Sequence, residues 1–280
     1  MIDSGGQIVY DDLNSEYPLQ ADQLQVYSDQ GFIHLKHVLS KETLDDFGRE
    51  ITQAVLRREP DPKPMESRTT YEKAFLQVPN LWAENEQVKR FVFGRRLAQI
   101  ATALMGTRGV RLYHDQALYK EPGGGITPFH ADQYYWPLDT LYTCTAWIPL
   151  QATPLEMGPL EFWPQSHHLD LGRDLAISDQ SEQLLADLRH QDNFSMVQEP
   201  FDLGDVSFHS GWTFHHAAPN ATDRPRAVMT IIYMDMDARV KAPIRAEQVN
   251  DLATWMPGVA VGGVAASPLN PVLYQRRERD

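Results

Sequence analysis

GVRLYHDQALYKEPGGGITPFHADQY, residues 109–134, is the stretch that predicts the fold. Two runs rich in β-branched and aromatic residues flank a turn formed by Pro122 and the glycines 123–125. Short runs of this kind, separated by turn residues, are typical of paired β-strands. No Lys-Ser/Thr pair and no helical pattern follow the glycines, so the sequence predicts no phosphate-binding loop here.

Similar runs continue towards the C-terminus. Strands are predicted at 109–119, 127–134, 142–149, 159–163, 205–208, 212–216 and 226–234, with a helical insert around 181–189. Short strands with long connections and few helices between them favour a mainly β fold, namely a double-stranded β-helix or cupin-like jelly roll.

The sequence before Gly106 predicts helices instead. Ser40 is a suitable N-cap for a first helix. Apolar residues then recur at spacings of three and four, which places them on one helical face: Leu44, Phe47, Ile51 and Val55. A second helix is predicted from about Glu86 to Met105, with Gly106 as its C-terminal cap. We expect these helices to pack outside one sheet of the jelly roll.

We expect one domain over residues 1–280, because no repeat, low-complexity segment or linker interrupts the sequence. Its helical part covers about 1–106 and its jelly-roll core about 107–240. The tail from Ala242 contains Pro257, Pro268 and Pro271 and is expected to be irregular.

Composition narrows the choice of partners and location. The formal net charge of −13 disfavours nucleic acid and membrane surfaces. The single cysteine, Cys144, allows no intrachain disulfide, which suits a cytoplasmic protein. The N-terminus, MIDSGGQIVYDD, lacks the pattern of a signal peptide, and no apolar run has the length of a membrane span. No heptad pattern indicates an oligomeric state.

The segment TPFHADQYYW, residues 127–136, carries a possible metal site. Its His130 and Asp132 lie two apart in a predicted strand, and alternate strand residues share a face. The segment FHSGWTFHHAAPN offers the candidates for a third ligand: His209, His215 and His216. Two histidines and one carboxylate form the facial triad of non-haem Fe(II) oxygenases, which leaves positions for a 2-oxo acid and O2. Zinc suits the pattern less well, because a catalytic zinc usually keeps a single open position.

The His-x-Asp pattern alone is weak, because short motifs recur by chance. A wider set of segments resembles the phytanoyl-CoA dioxygenase family of 2-oxoglutarate-dependent oxygenases, which have a double-stranded β-helix fold. These segments are YSDQGFIHLKHVLS, HADQYYWPLD, TAWIPL, GPLEFWPQSHH and GDVSFHSGWTFHHAAPNATDRPR. In this family the distal histidine precedes an asparagine by five residues and the oxoglutarate-binding arginine by eleven. Both spacings select His215, with Asn220 and Arg226.

The resemblance implies the cofactors and the roles of several residues. Fe(II) would be held by His130, Asp132 and His215, and Arg226 would bind the distal carboxylate of 2-oxoglutarate with its planar fork. The cosubstrate pocket would also be lined by Trp147, Gln116, Lys73 and Thr145. With O2 as the second cosubstrate, the reaction would release succinate and CO2 and oxidise an unactivated C–H bond of a small metabolite, by hydroxylation, demethylation or desaturation.

Asp132 bears on the reaction type. Related halogenases replace this carboxylate with a small residue, which frees a position for chloride. The chain keeps the carboxylate, so the resemblance favours oxygenation over halogenation.

The substrate is expected to contact residues near the metal motif and the later strands: Gln133, Tyr135, Trp136 and Trp212. Aromatic walls suit a small molecule with apolar or cationic parts, although aromatic residues in a jelly roll more often form its core. Two alternatives remain: a hydroxylase of protein or peptide side chains, and a non-catalytic metal-binding protein of the cupin type. The second alternative does not account for Arg226.

Overall fold

The computed structural model describes residues 11–59, 61–192 and 195–276. Residues 1–10, which carry most of the sequence considered for a signal peptide, lie outside this set. The helices are α1 (Asp11–Asn14), α2 (Ala21–Gln30), α3 (Lys41–Arg58), α4 (Thr70–Ala74), α5 (Glu86–Val92), α6 (Arg95–Met105), α7 (Asp179–Asp192) and α8 (Ala246–Trp255). The strands are β1 (Phe32–Leu35), β2 (Leu76–Pro79), β3 (Gly109–Lys120), β4 (Thr127–His130), β5 (Thr143–Pro149), β6 (Leu160–Phe162), β7 (Val197–Gln198), β8 (Val206–Ser210), β9 (His215–Ala217), β10 (Arg226–Asp235) and β11 (Val272–Gln275).

Within the described residues the strands form two antiparallel sheets. The larger sheet has the order β1-β8-β5-β10-β3-β11, and β2 also pairs with β3. The smaller sheet has the order β4-β9-β6-β7. Neighbours in these sheets are mostly distant in sequence, which is the connectivity of a jelly roll. The predicted mainly β, cupin-like fold is confirmed.

Strand β5 shows how the sequence builds the two faces of the larger sheet. Its residues Cys144, Ala146 and Ile148 are buried in the core that includes α3 and α6. The alternate residues Thr145 and Trp147 face the cavity between the sheets. This alternation follows from the two-residue period of a strand. The N-terminal helices therefore cover the outer face of the larger sheet, as the sequence predicted.

Helix α3 begins where the sequence predicts, because the Ser40 hydroxyl accepts a hydrogen bond from the Thr43 N–H. The predicted helix from Glu86 to Met105 is instead two helices, α5 and α6. They are separated at Gly94, whose ψ of 123° is not helical. A Cβ at Gly94 would lie only 3.0 Å from the Phe91 carbonyl, so a glycine suits this break.

The tail from Ala242 is not irregular throughout, because it contains α8 and β11, which corrects the expectation. Helix α8 ends before Pro257, and strand β11 begins after Pro271, so the prolines bound these elements rather than interrupt them. Strand β11 pairs with β3 at the edge of the larger sheet. None of the helices in the described residues is both long and apolar enough to cross a membrane.

Candidate active site

The pairing of β4 with β9 brings two histidines together. His130 lies opposite His215 in the register of these strands, and their ring centroids are 4.3 Å apart. His216 follows His215 in β9 and therefore points to the other face. Its Nε2 lies 2.6 Å from the Glu161 carboxylate, and its ring stacks on Phe129. The structure thus places His215, and not His216, beside His130.

Asp132 reaches the same point from a turn rather than from a strand. The predicted strand 127–134 ends at His130, and Asp132–Tyr134 form a 3₁₀ turn closed by the hydrogen bond from the Tyr135 N–H to the Asp132 carbonyl. Oδ1 of Asp132 nevertheless lies 3.6 Å from Nε2 of His130 and 3.8 Å from Nε2 of His215. The ligand atoms of these three residues all lie within 4.8 Å of one another.

Both histidines are held in the tautomer that a metal requires. Nδ1 of His130 lies 2.8 Å from the Pro128 carbonyl, and Nδ1 of His215 lies 3.0 Å from the Thr213 carbonyl. A carbonyl only accepts hydrogen bonds, so each Nδ1 carries the proton and each Nε2 keeps its lone pair. Burial, together with the neighbouring His130 and His209, holds the pKa of His215 well below its usual value.

The second oxygen of Asp132 is bound by the larger sheet. Oδ2 accepts a hydrogen bond from the Thr145 hydroxyl at 2.9 Å and lies 3.2 Å from Nε2 of His209. Burial alone would raise the pKa of Asp132, but His130, His209 and His215 hold it well below its usual value. His209 therefore acts as a hydrogen-bond donor to Asp132, and Oδ1 remains free towards His130 and His215.

This donor set fits Fe(II). Two neutral imidazoles and one carboxylate are the ligands of the facial triad. Outer hydrogen bonds that fix the tautomers and the carboxylate are the usual support of such ligands.

Arg226 lies in the same cavity, at the start of β10. Its side chain is buried, and its Nη1 donates a hydrogen bond to the Gly158 carbonyl. The guanidinium carbon lies 5.3 Å from the centroid of the Trp147 ring. Burial lowers the pKa of Arg226 to about 9, with no carboxylate contributing to the shift. A buried cation without an anionic partner is costly, so this position calls for an anion.

Three buried polar atoms of the cavity wall, one of them on Arg226 itself, support this interpretation. Nε of Arg226, Nε1 of Trp147 and Oγ1 of Thr127 have no hydrogen-bond partner among the described residues. All three residues line a cavity of about 420 Å³ that also contains the His-Asp-His cluster. Buried polar groups are normally satisfied, so these donors fit the carboxylate of a 2-oxo acid.

The predicted cosubstrate residues occupy different places. Gln116 and Trp147 line the cavity. Thr145 lines it as well, but its hydroxyl is bonded to Asp132. The side chain of Lys73 is not part of the described cavity wall, and its carbonyl accepts a hydrogen bond from the Gly125 N–H.

Of the four predicted substrate residues, two line the described cavity and two do not. Tyr135 and Trp136 line the cavity. Gln133 is buried against Thr143, whose hydroxyl donates to it, and is not in the described wall. Trp212 lies under the Arg173 guanidinium, 4.7 Å from ring centroid to Cζ, and is also outside the described wall.

Sequence reasoning missed a group of cavity residues. They come from the segment around α4, from β3 and from α8: Tyr71, Phe75, His114, Asp251 and Trp255. A usable signal existed for α8, since Gln248, Asp251, Leu252 and Trp255 recur at spacings of three and four between Arg245 and Pro257.

A jelly roll that holds a His-Asp-His cluster in one cavity with a buried arginine, which no carboxylate of the described residues pairs with, defines the class of Fe(II)- and 2-oxoglutarate-dependent oxygenases. The chain belongs to the phytanoyl-CoA dioxygenase (PhyH) family, whose sequence model matches residues 27–228. It is thus an oxidoreductase that uses Fe(II), 2-oxoglutarate and O2 and acts on small metabolites, and the predicted family is confirmed.

Two relatives of known activity align with most of the chain. A methylphosphonate hydroxylase from Gimesia maris is 26% identical over 239 residues, which is 82% of this chain and 85% of that protein. A 2-aminoethylphosphonate dioxygenase from an uncultured bacterium is 25% identical over 250 residues, covering 81% of this chain and 90% of that protein.

Solved structures show the same fold. The non-haem α-ketoglutarate-dependent carbocyclase SnoK from nogalamycin biosynthesis is 27% identical with a TM-score of 0.75, covering 91% of this chain and 96% of that one. The epimerase SnoN in complex with Fe3+, α-ketoglutarate and nogalamycin RO is 23% identical with a TM-score of 0.74. The match covers 90% of this chain and 98% of that one. EctD from S. alaskensis with bound Fe is 21% identical with a TM-score of 0.68, covering 91% and 92%. The last two show the fold alone.

Proposed function

We propose that His130, Asp132 and His215 hold Fe(II), that Arg226 binds the distal carboxylate of 2-oxoglutarate, and that the enzyme oxidises a C–H bond of a small molecule in the adjoining space. Trp147 and Thr127 complete the cosubstrate site with their free donors, and Gln116 lines it. The observation that carries this proposal is the buried Arg226, with Nε unsatisfied, in the same cavity as the triad.

Fe(II), when bound, supplies the coupling of 2-oxoglutarate decarboxylation and O2 reduction to substrate oxidation, with succinate and CO2 as products. The protein's part is to bind, to orient and to exclude water. Tyr135 and Trp136 form an apolar wall beside the triad, and Asp132 occupies the position that a halogenase would leave open. We therefore propose hydroxylation, demethylation or desaturation rather than halogenation.

The substrates of the two relatives provide the first compounds to test, namely methylphosphonate and 2-aminoethylphosphonate. The acidic charge of the chain supports a small-molecule substrate over nucleic acid or a membrane surface. Its one cysteine, Cys144, is buried and free, and supports a location in the reducing cytoplasm.

Spectroscopy tests the proposal without a substrate. Under anaerobic conditions, Fe(II) and 2-oxoglutarate together should give a metal-to-ligand charge-transfer band that neither gives alone. With O2, the protein should then form succinate slowly. If the band is absent although both components are bound, the proposed chelation is wrong.

A further inference from the structure

Helix α8 contributes part of the cavity wall. Asp251 and Trp255, one helical turn apart, both line the cavity. Gln248, on the same face, anchors the helix by donating to the Tyr134 carbonyl at 3.0 Å. Val249, on another face of the helix, is 57% exposed. The helix thus presents one carboxylate and one indole to the space beside the metal cluster.

Asp251 has neutral partners rather than cationic ones. Its Oδ2 accepts a hydrogen bond from the Tyr113 hydroxyl at 2.9 Å. No lysine, arginine or histidine of the described residues forms an ion pair with it or contributes to its electrostatics. Burial raises the pKa of Asp251 to about 7, although hydrogen bonds from Tyr113 and Trp255 oppose the shift. A carboxylate in this setting is stabilised when a cation comes within contact distance.

Further aromatic rings pack against the two aromatic partners of this carboxylate, Tyr113 and Trp255. The ring of His114 packs on Trp255 with centroids 4.6 Å apart, and Trp136 packs on Tyr113 at 5.3 Å. Tyr135 also lines the cavity, and both Tyr135 and Trp255 pack against the apolar cluster that contains Tyr113 and Trp136. Faces of such rings attract ammonium groups, and the attraction is stronger where water is excluded.

When Fe(II) and 2-oxoglutarate are bound, no positive charge in the described cavity wall remains to balance the Asp251 carboxylate. The charge of Fe(II) and that of Arg226 together balance the Asp132 carboxylate and the two carboxylates of 2-oxoglutarate. His114 adds no positive charge near neutral pH, because burial lowers its pKa to about 4. Arg226 is the one Lys or Arg in the described cavity wall. Apart from the proposed ligand Asp132, Asp251 is therefore the one carboxylate in the described cavity wall.

We propose that the substrate is a small organic amine that binds as its ammonium ion, with the charged nitrogen held between Asp251 and the rings of Trp255, Trp136 and Tyr135. This inference rests on the proposed oxygenase function and deepens it by naming the substrate class. The described wall offers a phosphonate group no Lys or Arg besides Arg226, which the cosubstrate occupies. A phosphonate without an amino group is therefore a poor ligand for this site.

The test measures binding to the anaerobic complex of the full chain with Fe(II) and 2-oxoglutarate. The probes are a panel of small primary to quaternary aryl- and alkylamines, the alcohols or hydrocarbons that match each of them in shape, methylphosphonate and 2-aminoethylphosphonate. Binding is followed by ligand-detected NMR and by the shift of the charge-transfer band. The tightest amines should bind roughly tenfold or more tightly than their neutral partners.

The variant Asp251→Asn keeps the shape and one acceptor oxygen but removes the charge. It should keep the charge-transfer band and lose most of the preference for amines over neutral partners. Glu247→Gln removes a charge one turn earlier on α8, outside the described wall, and should keep that preference. If Asp251→Asn does not fold, the preference of the unaltered protein for amines over their neutral partners still tests the proposed substrate class.

The outcomes separate the two proposals. If the band forms but neutral compounds or methylphosphonate bind as well as the amines, the amine site is refuted and the oxygenase function stands. If the amines are preferred and Asp251→Asn keeps that preference, Asp251 is refuted as the anchor. If no band forms with both components bound, the proposed function itself fails.

Discussion

The hydroxyl of Thr145 donates a hydrogen bond to Oδ2 of Asp132 at 2.9 Å, and this bond joins the two sheets at the metal cluster. Thr145 belongs to β5 of the larger sheet, whereas Asp132 follows β4 of the smaller one. The bond leaves Oδ1 directed at His130 and His215. Outer partners of this kind keep a ligand oriented before the metal arrives.

Thr145→Val should weaken Fe(II) binding by roughly tenfold or more, because the carboxylate loses a partner that fixes its orientation. Thr145→Ser should restore most of the affinity, since it returns the hydroxyl. Titration of the apoprotein with Fe(II) measures the dissociation constant. Thr153→Val is the control, because the buried hydroxyl of Thr153 donates to the Gln151 carbonyl instead. An unchanged affinity in Thr145→Val would contradict the role given to this bond.

His215→Ala should abolish stoichiometric Fe(II) binding, because it removes one of three ligands. His216→Ala should retain most of the binding, since His216 pairs with Glu161 on the opposite face of β9. Iron content after anaerobic loading, together with circular dichroism to check the fold, measures both. The reverse result would show that the wrong histidine has been assigned.

Arg226→Lys should raise the KM for 2-oxoglutarate by roughly tenfold or more, because an ammonium cannot reproduce the bidentate fork. Fe(II) affinity without the cosubstrate should change little. Arg111→Lys serves as the control, since that arginine donates to the carbonyls of Met236 and Asn270. A KM close to that of the unaltered protein would argue against Arg226 as the carboxylate site.

Asp115 provides a prediction about stability and pH. Burial raises its pKa from 3.8 to about 7, and its Oδ1 has no partner among the described residues. Between these two pH values the folded protein binds more protons at this site than the unfolded chain. The contribution of Asp115 to stability is therefore full below pH 3.8 and falls as the pH rises towards 7.

Asp115→Asn stays neutral and should remove this loss. Its melting temperature relative to the unaltered protein should rise across that interval and level off above it. Thermal unfolding at several pH values measures the difference. Asp237→Asn, which changes an exposed carboxylate paired with Arg108, should show no such trend. A constant difference between Asp115→Asn and the unaltered protein would contradict the assignment.

Much of the fold was predictable because the spacing of apolar residues in a short stretch of sequence distinguishes strands from helices. The alternation of Cys144, Thr145, Ala146 and Trp147 between core and cavity is of this kind. Asp132 does lie beside His130, as predicted. The predicted reason was wrong, because the two residues do not share the face of one strand. The approach of Asp132 to His130 depends on a 3₁₀ turn whose Gln133 N–H is held by the Gly211 carbonyl, a contact across 78 residues of sequence that no local pattern reveals.

The part of the cavity wall that α8 forms was not predicted, because Pro257, Pro268 and Pro271 led us to expect an irregular tail. Asp251 matters only when α8 is folded against Tyr113, which is 138 positions away in the chain. The long-range packing of α8 therefore explains why Asp251 and Trp255 were missed.

Helix α8 comes after β10, the last long strand, and therefore after all the residues proposed to bind iron and 2-oxoglutarate. The residues proposed for oxygen chemistry lie between Gln116 and Arg226, whereas Asp251 and Trp255 come from a later segment that contributes none of the metal ligands. Substitutions in that segment can change which molecule is accepted while the iron centre stays intact. The part of the proposed amine site that α8 supplies can therefore be altered without changing a proposed metal ligand, whereas Tyr135 and Trp136 directly follow the turn that carries Asp132.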